Sequence, residues 1–202
     1  FEGRAGRMVL VSSSDVYRAY GRLTKSEPGP PEPVPLDEDA PLRSVLFPYR
    51  GMEAQLGDYA RDYEKILAEQ ALREAGELDW TILRLPKVYG REDNGDLATI
   101  YGFAAVPAWR WTHGHVQNVA AAIVACSDHA NARNRIFNVG EESTPSMAER
   151  LAMLPKRDME PPDLPSFDFD QPLVLDTARI RSIVGYREIV NERSAMIDLA
   201  TD

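Results

Sequence analysis

One cysteine in 202 residues, Cys126, leaves no partner for an internal disulfide, and three scattered histidines offer none of the spacings at which zinc ligands recur. The chain therefore reads as cytoplasmic, with no metal, and Cys126 as an inert core thiol on a helix face shared with Val119 and Ile123. Cations are also scarce: 23 Lys and Arg stand against 32 Asp and Glu, a formal net charge of −9. Nucleic acid and anionic membrane surfaces are bound by clustered Lys and Arg that displace counterions, so both partner classes are excluded and a small-molecule substrate is expected. No apolar run approaches the roughly 20 residues that cross a bilayer, and the start lacks a basic-then-apolar leader. The first residue is Phe1 and not Met, as in a trimmed product. The length suits one ordinary domain, or one and a half domains of a longer parent.

What is present alternates strand and helix. Met8-Val9-Leu10-Val11 is a short continuous apolar run, the pattern of a strand buried on both faces of a parallel sheet. Residues 26–41 carry Pro28, Pro30, Pro31, Pro33, Pro35 and Pro41, which predicts an extended surface loop without helix or ladder strand. From about Asp62 to Gly76 the spacing turns helical. Leu67, Ala71 and Ala75 share one stripe, Glu69 and Arg73 pair at i, i+4 on the other side, and Gly76 is the C-cap. Trp80 to Leu85 reads as a second buried strand, stopped by Pro86. Val116, Val119, Ala120, Ile123 and Val124 recur at helical spacing and predict a helix over about 117–127. Arg135 to Val139 is a third strand closed by Gly140. The next helix starts either at Thr144-Pro145 or at Ser146, with Glu149 completing a capping box. A second proline-rich stretch, Pro155 to Pro172, precedes a short helix over 176–184 with Asp176 as N-cap and Gly185 past its end.

Four segments, Val11 to Tyr17, Lys65 to Gln70, Ile82 to Gly90 and His115 to Ala120, resemble successive blocks of the NAD-dependent epimerase/dehydratase family, the extended short-chain dehydrogenase/reductases. Phe137 to Gly140 and Asp176 to Tyr186 resemble two later blocks, so the likeness covers nearly all of residues 8–190. It implies an α/β fold, the C-terminal part of a doubly wound parallel-sheet NAD(P)-binding Rossmann fold with a small mixed substrate-binding region. Residues 1–140 would form the former, with substrate-region segments interleaved from about 86, and 141–202 mainly the latter. The implied activity is an oxidoreductase or epimerase acting on a hydroxyl or keto group, sugar nucleotides among the substrates, with NAD or NADP as cofactor in the full-length protein.

By position in those blocks, Ser13 takes the strand-end role that hydrogen-bonds the reacting oxygen. Lys65 takes the role that lowers a tyrosine pKa and holds the nicotinamide ribose, and Tyr63 is the preferred proton-exchanging tyrosine. Ser12, Lys65, Pro86 and Val88 are the cofactor-side candidates. Ser14, Asp15, Arg110 and His115 are the substrate-side candidates, with Trp109 and Trp111 as an aromatic wall around Arg110. The resemblance also implies a homodimer through the helix at 62–76.

Two features depart from the family pattern. The family tyrosine lies four residues before the lysine, where this chain has Arg61. Tyr63 lies two before and Tyr59 six before, displaced on a regular helix by roughly 160° and 120°. Tyr63 serves if the helix begins near Lys65 and the backbone before it is extended. Second, no Gly-x-x-Gly-x-x-Gly turn follows a strand; Gly3 and Gly6 precede one. About 100 residues, half of the nucleotide fold, then lie outside the sequence, and the chain as written should bind dinucleotide poorly. Plainer roles also fit these residues: a polar strand end for Ser12 to Ser14, a solvated partner of Glu69 for Lys65, a packing ring for Tyr59 or Tyr63. Pro86 reads equally as a strand stop, His115 as a half-exposed structural histidine, and the two tryptophans as packing beneath the sheet edge. The alternative function is a non-catalytic, dinucleotide-responsive protein of the same fold.

Overall fold

The computed structural model describes residues 6–76, 78–157 and 164–201. It runs β1 (Arg7–Ser13), α1 (Arg18–Leu23), α2 (Glu53–Leu56), α3 (Lys65–Arg73), β2 (Asp79–Leu85) and β3 (Lys87–Tyr89). It continues with α4 (Ala98–Tyr101), β4 (His113–His115), α5 (Val116–Asp128), β5 (Arg135–Asn138), α6 (Met147–Met153), α7 (Ala178–Val184) and α8 (Glu192–Thr201). Gly3 and the 158–163 part of the second proline-rich stretch lie outside the described residues.

The three apolar runs become a parallel sheet in the order β1-β2-β5, with Leu10 beside Ile82 and Ile82 beside Ile136. Parallel neighbours need crossover connections, and the chain supplies them through α3 and α5. The α/β class and parallel pairing expected from the sequence are therefore present. Past Pro86 the chain leaves this sheet, and β3 pairs in parallel with β4 in a second, two-stranded sheet. One face of the main sheet packs Leu83 and Phe137 against Val119, Ala122 and Cys126 of α5 and Ile180 of α7. Cys126 is fully buried there, and burial pushes its thiol up to about 11.

The opposite face is polar in its last row. Ser12, Arg84 and Asn138 are register neighbours across the three strands. Arg84 donates to both carboxylate oxygens of Glu69 on α3, at 3.0 and 2.7 Å, and to the Glu38 carbonyl at 2.9 Å. Ser12 donates to the same Glu69 at 2.6 Å, and the Tyr17 hydroxyl donates to Asn138 at 2.6 Å. This network explains why α3 turns differently from the sequence expectation. Its buried residues are Ile66, Glu69 and Leu72, while Leu67, Ala71 and Ala75 face outward. A buried guanidinium requires a carboxylate, and Glu69 supplies it instead of pairing with Arg73 at the surface.

The phase of α5 also differs. Asn118, Val119, Ala122 and Cys126 are buried, and Val124 is 71% exposed. Asn118 is drawn inward because its side chain accepts from the Ile189 and Val190 amides and donates to Glu141. The 26–41 segment is not a surface loop throughout. Leu36 is buried, bridges to Leu175 and exchanges backbone hydrogen bonds with Val174 and Asp176. Helix α6 starts at Ser146, whose hydroxyl accepts from the Glu149 amide while the Glu149 carboxylate accepts from the Ser146 amide. Asp176 stands one residue outside the Thr177 cap of α7 and accepts from Ala178 at 2.8 Å; Gly185 ends that helix in the left-handed region. No helix among the described residues is long and apolar enough to cross a membrane.

Candidate active site

Parallel strands that end in the same direction leave their carboxyl ends as a common crevice, and β1 ends there at Ser13, in register with Leu85. The Ser13 hydroxyl accepts the Asp15 amide at 3.2 Å and so starts the tight turn Ser14–Val16. That turn buries Asp15 to 3% exposure. One carboxylate oxygen, Oδ2, accepts from the hydroxyls of both Tyr49 and Tyr63 at 3.0 Å each. The other, Oδ1, makes no hydrogen bond and lies 4.0 Å from Arg43, a guanidinium already held by Glu64 at 3.2 Å. Burial raises Asp15 above the ordinary carboxylate range, against the pull of Arg43 and of the hydroxyls of Tyr49, Tyr63 and Ser13.

Tyr63 reaches this point because α3 starts late. Glu64 is extended (φ −153°, ψ 107°) and caps Ile66 with its carboxylate, so Lys65 is the first helical residue. The helical displacement of Tyr63 from Lys65 therefore does not apply. The Lys65 ammonium sits 5.3 Å from the Tyr63 ring centroid and donates to the Val11 carbonyl at 3.1 Å. Glu69 is turned inward to Arg84, which removes the surface Lys65–Glu69 pairing. Burial raises the Tyr63 phenol, Asp15 raises it further, and a hydrogen bond with Ser13 opposes both. Tyr59 is 60% exposed with its ring against Tyr63, and Arg61, at the family spacing, closes the short turn Asp58–Arg61.

Ser13, Ser14, Asp15 and Pro86 share a cavity of about 230 Å3 with Tyr49 and Lys87. Trp111 and Phe167 form an aromatic side of it, and Trp109 packs behind Trp111 with its indole donating to Gln171. Tyr63 adjoins this group through its hydrogen bond to Asp15, and Lys65 stands behind it, over the Tyr63 ring. Four other expected residues lie elsewhere. Ser12 is buried on the α3 face with its hydroxyl committed to Glu69. Val88 packs into the α5 side of the core. Arg110 is exposed, donates to the Thr144 carbonyl and lies 3.6 Å from Glu149. His115 caps α5 by accepting the Gln117 amide, its ring against Tyr89. The side chains of Ser12, Arg110 and His115 are thus spent on local structure, because alternation along β1 and the cap of α5 dictate their directions.

Tyr49, Arg43 and Lys87 were not singled out by sequence reasoning. Tyr49 and Arg43 come from a loop without periodicity, and no local pattern ties them to Asp15. Lys87 had a signal, since it directly follows Pro86 at the end of a buried strand. Among the described residues no group of three or more His, Cys, Asp or Glu is placed to hold a metal ion.

No protein-family model matches the sequence, and no curated protein matches it. Solved structures do match. UDP-glucose 4-epimerase from Thermotoga maritima, solved with UDP-glucose, is 18% identical at a TM-score of 0.64, with 98% of this chain and 62% of that one covered. UDP-glucuronic acid 4-epimerase from Bacillus cereus, in complex with UDP-glucuronic acid and NAD, is 15% identical at 0.65, with 96% and 61% covered. A short-chain dehydrogenase/reductase superfamily protein from Agrobacterium tumefaciens with bound NAD is 18% identical at 0.58, with 96% and 65% covered. The chain spans less than two thirds of the length of these neighbours.

Proposed function

We propose that this chain, whose fold is that of the short-chain dehydrogenase/reductase epimerases, is the substrate-side part of a cytoplasmic NAD(P)-dependent oxidoreductase or epimerase acting on a hydroxyl or keto group. The observation that carries the reading is the convergence of Ser13, Tyr63 and Lys65 at the carboxyl end of β1, beside a cavity lined by Pro86, Tyr49 and Lys87. The end of β1 and the segment that enters α3, about 50 residues apart in sequence, deliver these groups to one place, which a mere polar strand end does not require.

The residues present fit the nicotinamide end of a dinucleotide. Lys65 is on hand for the ribose and Pro86 for the ring's flank, whereas no glycine-rich turn after a strand occurs in the sequence. The pyrophosphate would be held by a strand, glycine turn and helix laid along β1, which stands at the edge of the sheet with Met8 and Val11 partly exposed. When bound, the nicotinamide supplies the hydride acceptor or donor. Ser13 hydrogen-bonds the reacting oxygen, Tyr63 exchanges its proton, and Lys65 adds positive charge next to the phenol. Lys87 also lines the cavity, its ammonium 3.6 Å from the Asp93 carboxylate. A nucleoside diphosphate sugar belongs to the same proposal, with most of it outside the 230 Å3 cavity, which falls below the usual ~300–1,000 Å3 of ligand pockets. A homodimer through the outer face of α3, where Leu67 and Ala71 are exposed, is part of it too.

The test is to supply the full-length protein with NAD or NADP and a panel of secondary alcohols, ketones and UDP-sugars, following nicotinamide absorbance and sugar epimerisation. Turnover that disappears in Tyr63→Phe supports the reading. Turnover unchanged in that variant contradicts the role of Tyr63, and dinucleotide binding without any turnover favours the non-catalytic alternative.

A further inference from the structure

Asp15 is a buried carboxylate set between two phenols. Its Oδ2 takes the hydroxyl protons of Tyr49, from the loop before α2, and of Tyr63, from the extended entry to α3. A hydroxyl that donates its one proton to a carboxylate presents lone pairs to everything else around it. At rest, Tyr63 therefore meets an incoming group as an acceptor, and an alcohol, unlike a ketone, can donate to it.

We propose that Asp15 ends a proton relay: a substrate alcohol gives its hydroxyl proton to the Tyr63 oxygen while Tyr63 passes its own proton to Asp15 Oδ2, with Tyr49 anchoring the carboxylate. The inference rests on the oxidoreductase reading above. In the balanced step, the carbinol C–H bond breaks and its electron pair leaves as hydride to an oxidised nicotinamide dinucleotide. The C–O bond becomes C=O, the O–H proton ends on Tyr63, and the Asp15 carboxylate becomes a carboxylic acid. Asp15 acts through Tyr63 and is in that sense a positioning residue.

The groups around Asp15 fit this role. Arg43 lies 4.0 Å away but is shared with Glu64, so the carboxylate is not locked in a close ion pair. Tyr20 stands edge-on to Tyr49, and burial pushes its phenol up to about 12. Lys65 lies over the Tyr63 ring, and Lys87 lines the cavity that Asp15 borders. Burial lifts Asp15 toward the protonated form, which eases its uptake of a proton. Burial and Asp15 together keep Tyr63 a neutral phenol, so it begins and ends the step in the same state.

The test is a carbon-13 titration of the Asp15 carboxyl in the full-length protein, its resonance assigned with Asp15→Asn. The midpoint is expected above the ordinary carboxylate range. Tyr63→Phe and Tyr49→Phe should each raise it by about half a pH unit or more, since each removes a donor that favours the carboxylate. A midpoint unmoved by Tyr63→Phe overturns the relay. For a substrate that turns over, Asp15→Asn should lower kcat for alcohol oxidation by about tenfold or more without a matching rise in KM. It should also abolish the loss of rate that the wild type shows as pH falls through the Asp15 midpoint; an unchanged pH profile overturns the relay. Because the titration needs no substrate, the two readings fail separately. Turnover with an uncoupled carboxyl removes the relay alone. A coupled carboxyl with no turnover of any alcohol removes the oxidoreductase reading and, with it, the relay's chemical step.

Discussion

Ser12 and Ser13 are neighbours in β1, and each leads to a buried carboxylate of opposite character. Ser12 points to Glu69, which also takes two hydrogen bonds from Arg84 in a pair whose side chains are almost wholly buried. Ser13 begins the turn that buries Asp15, which is held by two phenols and has an oxygen without a hydrogen bond. Glu141 forms a third case, accepting from the His115 amide and from Asn118. A carboxylate whose sites are filled by a guanidinium serves the fold. One held by neutral phenols, at the end of a strand and beside a cavity, is placed to exchange a proton through them.

The largest expected effect is on the paired side. Glu69→Gln should cost about 3–5 kcal/mol of stability because it strands the Arg84 guanidinium under the sheet. Denaturant unfolding measures this, and a loss below about 1 kcal/mol would mean that Glu69 and Asp15 do not differ as described. On the other side, Tyr63→Phe should lower kcat by a factor of about 10²–10⁴ while costing only about 1 kcal/mol of stability. Tyr59→Phe, at an exposed ring, should leave both near wild type.

Glu141 gives an intermediate effect with a defined sign. Burial, together with Glu192 and Glu188, pushes it up to about 7, against the His115 amide and Asn118. The unfolded chain releases this proton near the ordinary glutamate range and the folded protein only near 7, so its contribution declines as pH rises between those points. Relative to Glu141→Gln, wild-type stability should fall by on the order of 1–3 kcal/mol across that window. A flat difference would remove Glu141 from the series. The smallest effect belongs to Arg110→Ala, which should change stability by about 0.5 kcal/mol or less, since its bonds to Thr144 and Glu149 are exposed.

Much of the scaffold was legible because it rests on apolar pattern. β1, β2 and β5 are recognisable apolar runs and the Ser146 cap obeys a local rule, but β1 is not buried on both faces: it lies at the sheet edge with Met8 and Val11 exposed. The inward faces of α3 and α5 were not legible, since each is set by a polar side chain, Glu69 or Asn118, whose partner lies far along the chain. In the candidate site, Ser13 and Lys65 are assigned by position in recognisable blocks. Tyr49 is not, because it reaches Asp15 from a loop without periodicity 34 residues further along the chain. The placement of Tyr63 depended on where α3 starts, which Glu64 decides by capping Ile66 while binding Arg43. Ser12, Arg110 and His115 are polar residues of the same kind whose side chains bond to neighbouring structure, to Glu69, the Thr144 carbonyl and the Gln117 amide.

The most direct measurement is a crystal structure of the full-length protein with NAD. The account predicts the nicotinamide ribose on Lys65 and the nicotinamide ring at the mouth of the Ser13, Asp15 and Pro86 cavity, with the Tyr63 hydroxyl beside its reactive face and still on Asp15. A dinucleotide bound elsewhere, or a Tyr63 turned away from it, would contradict the central claim.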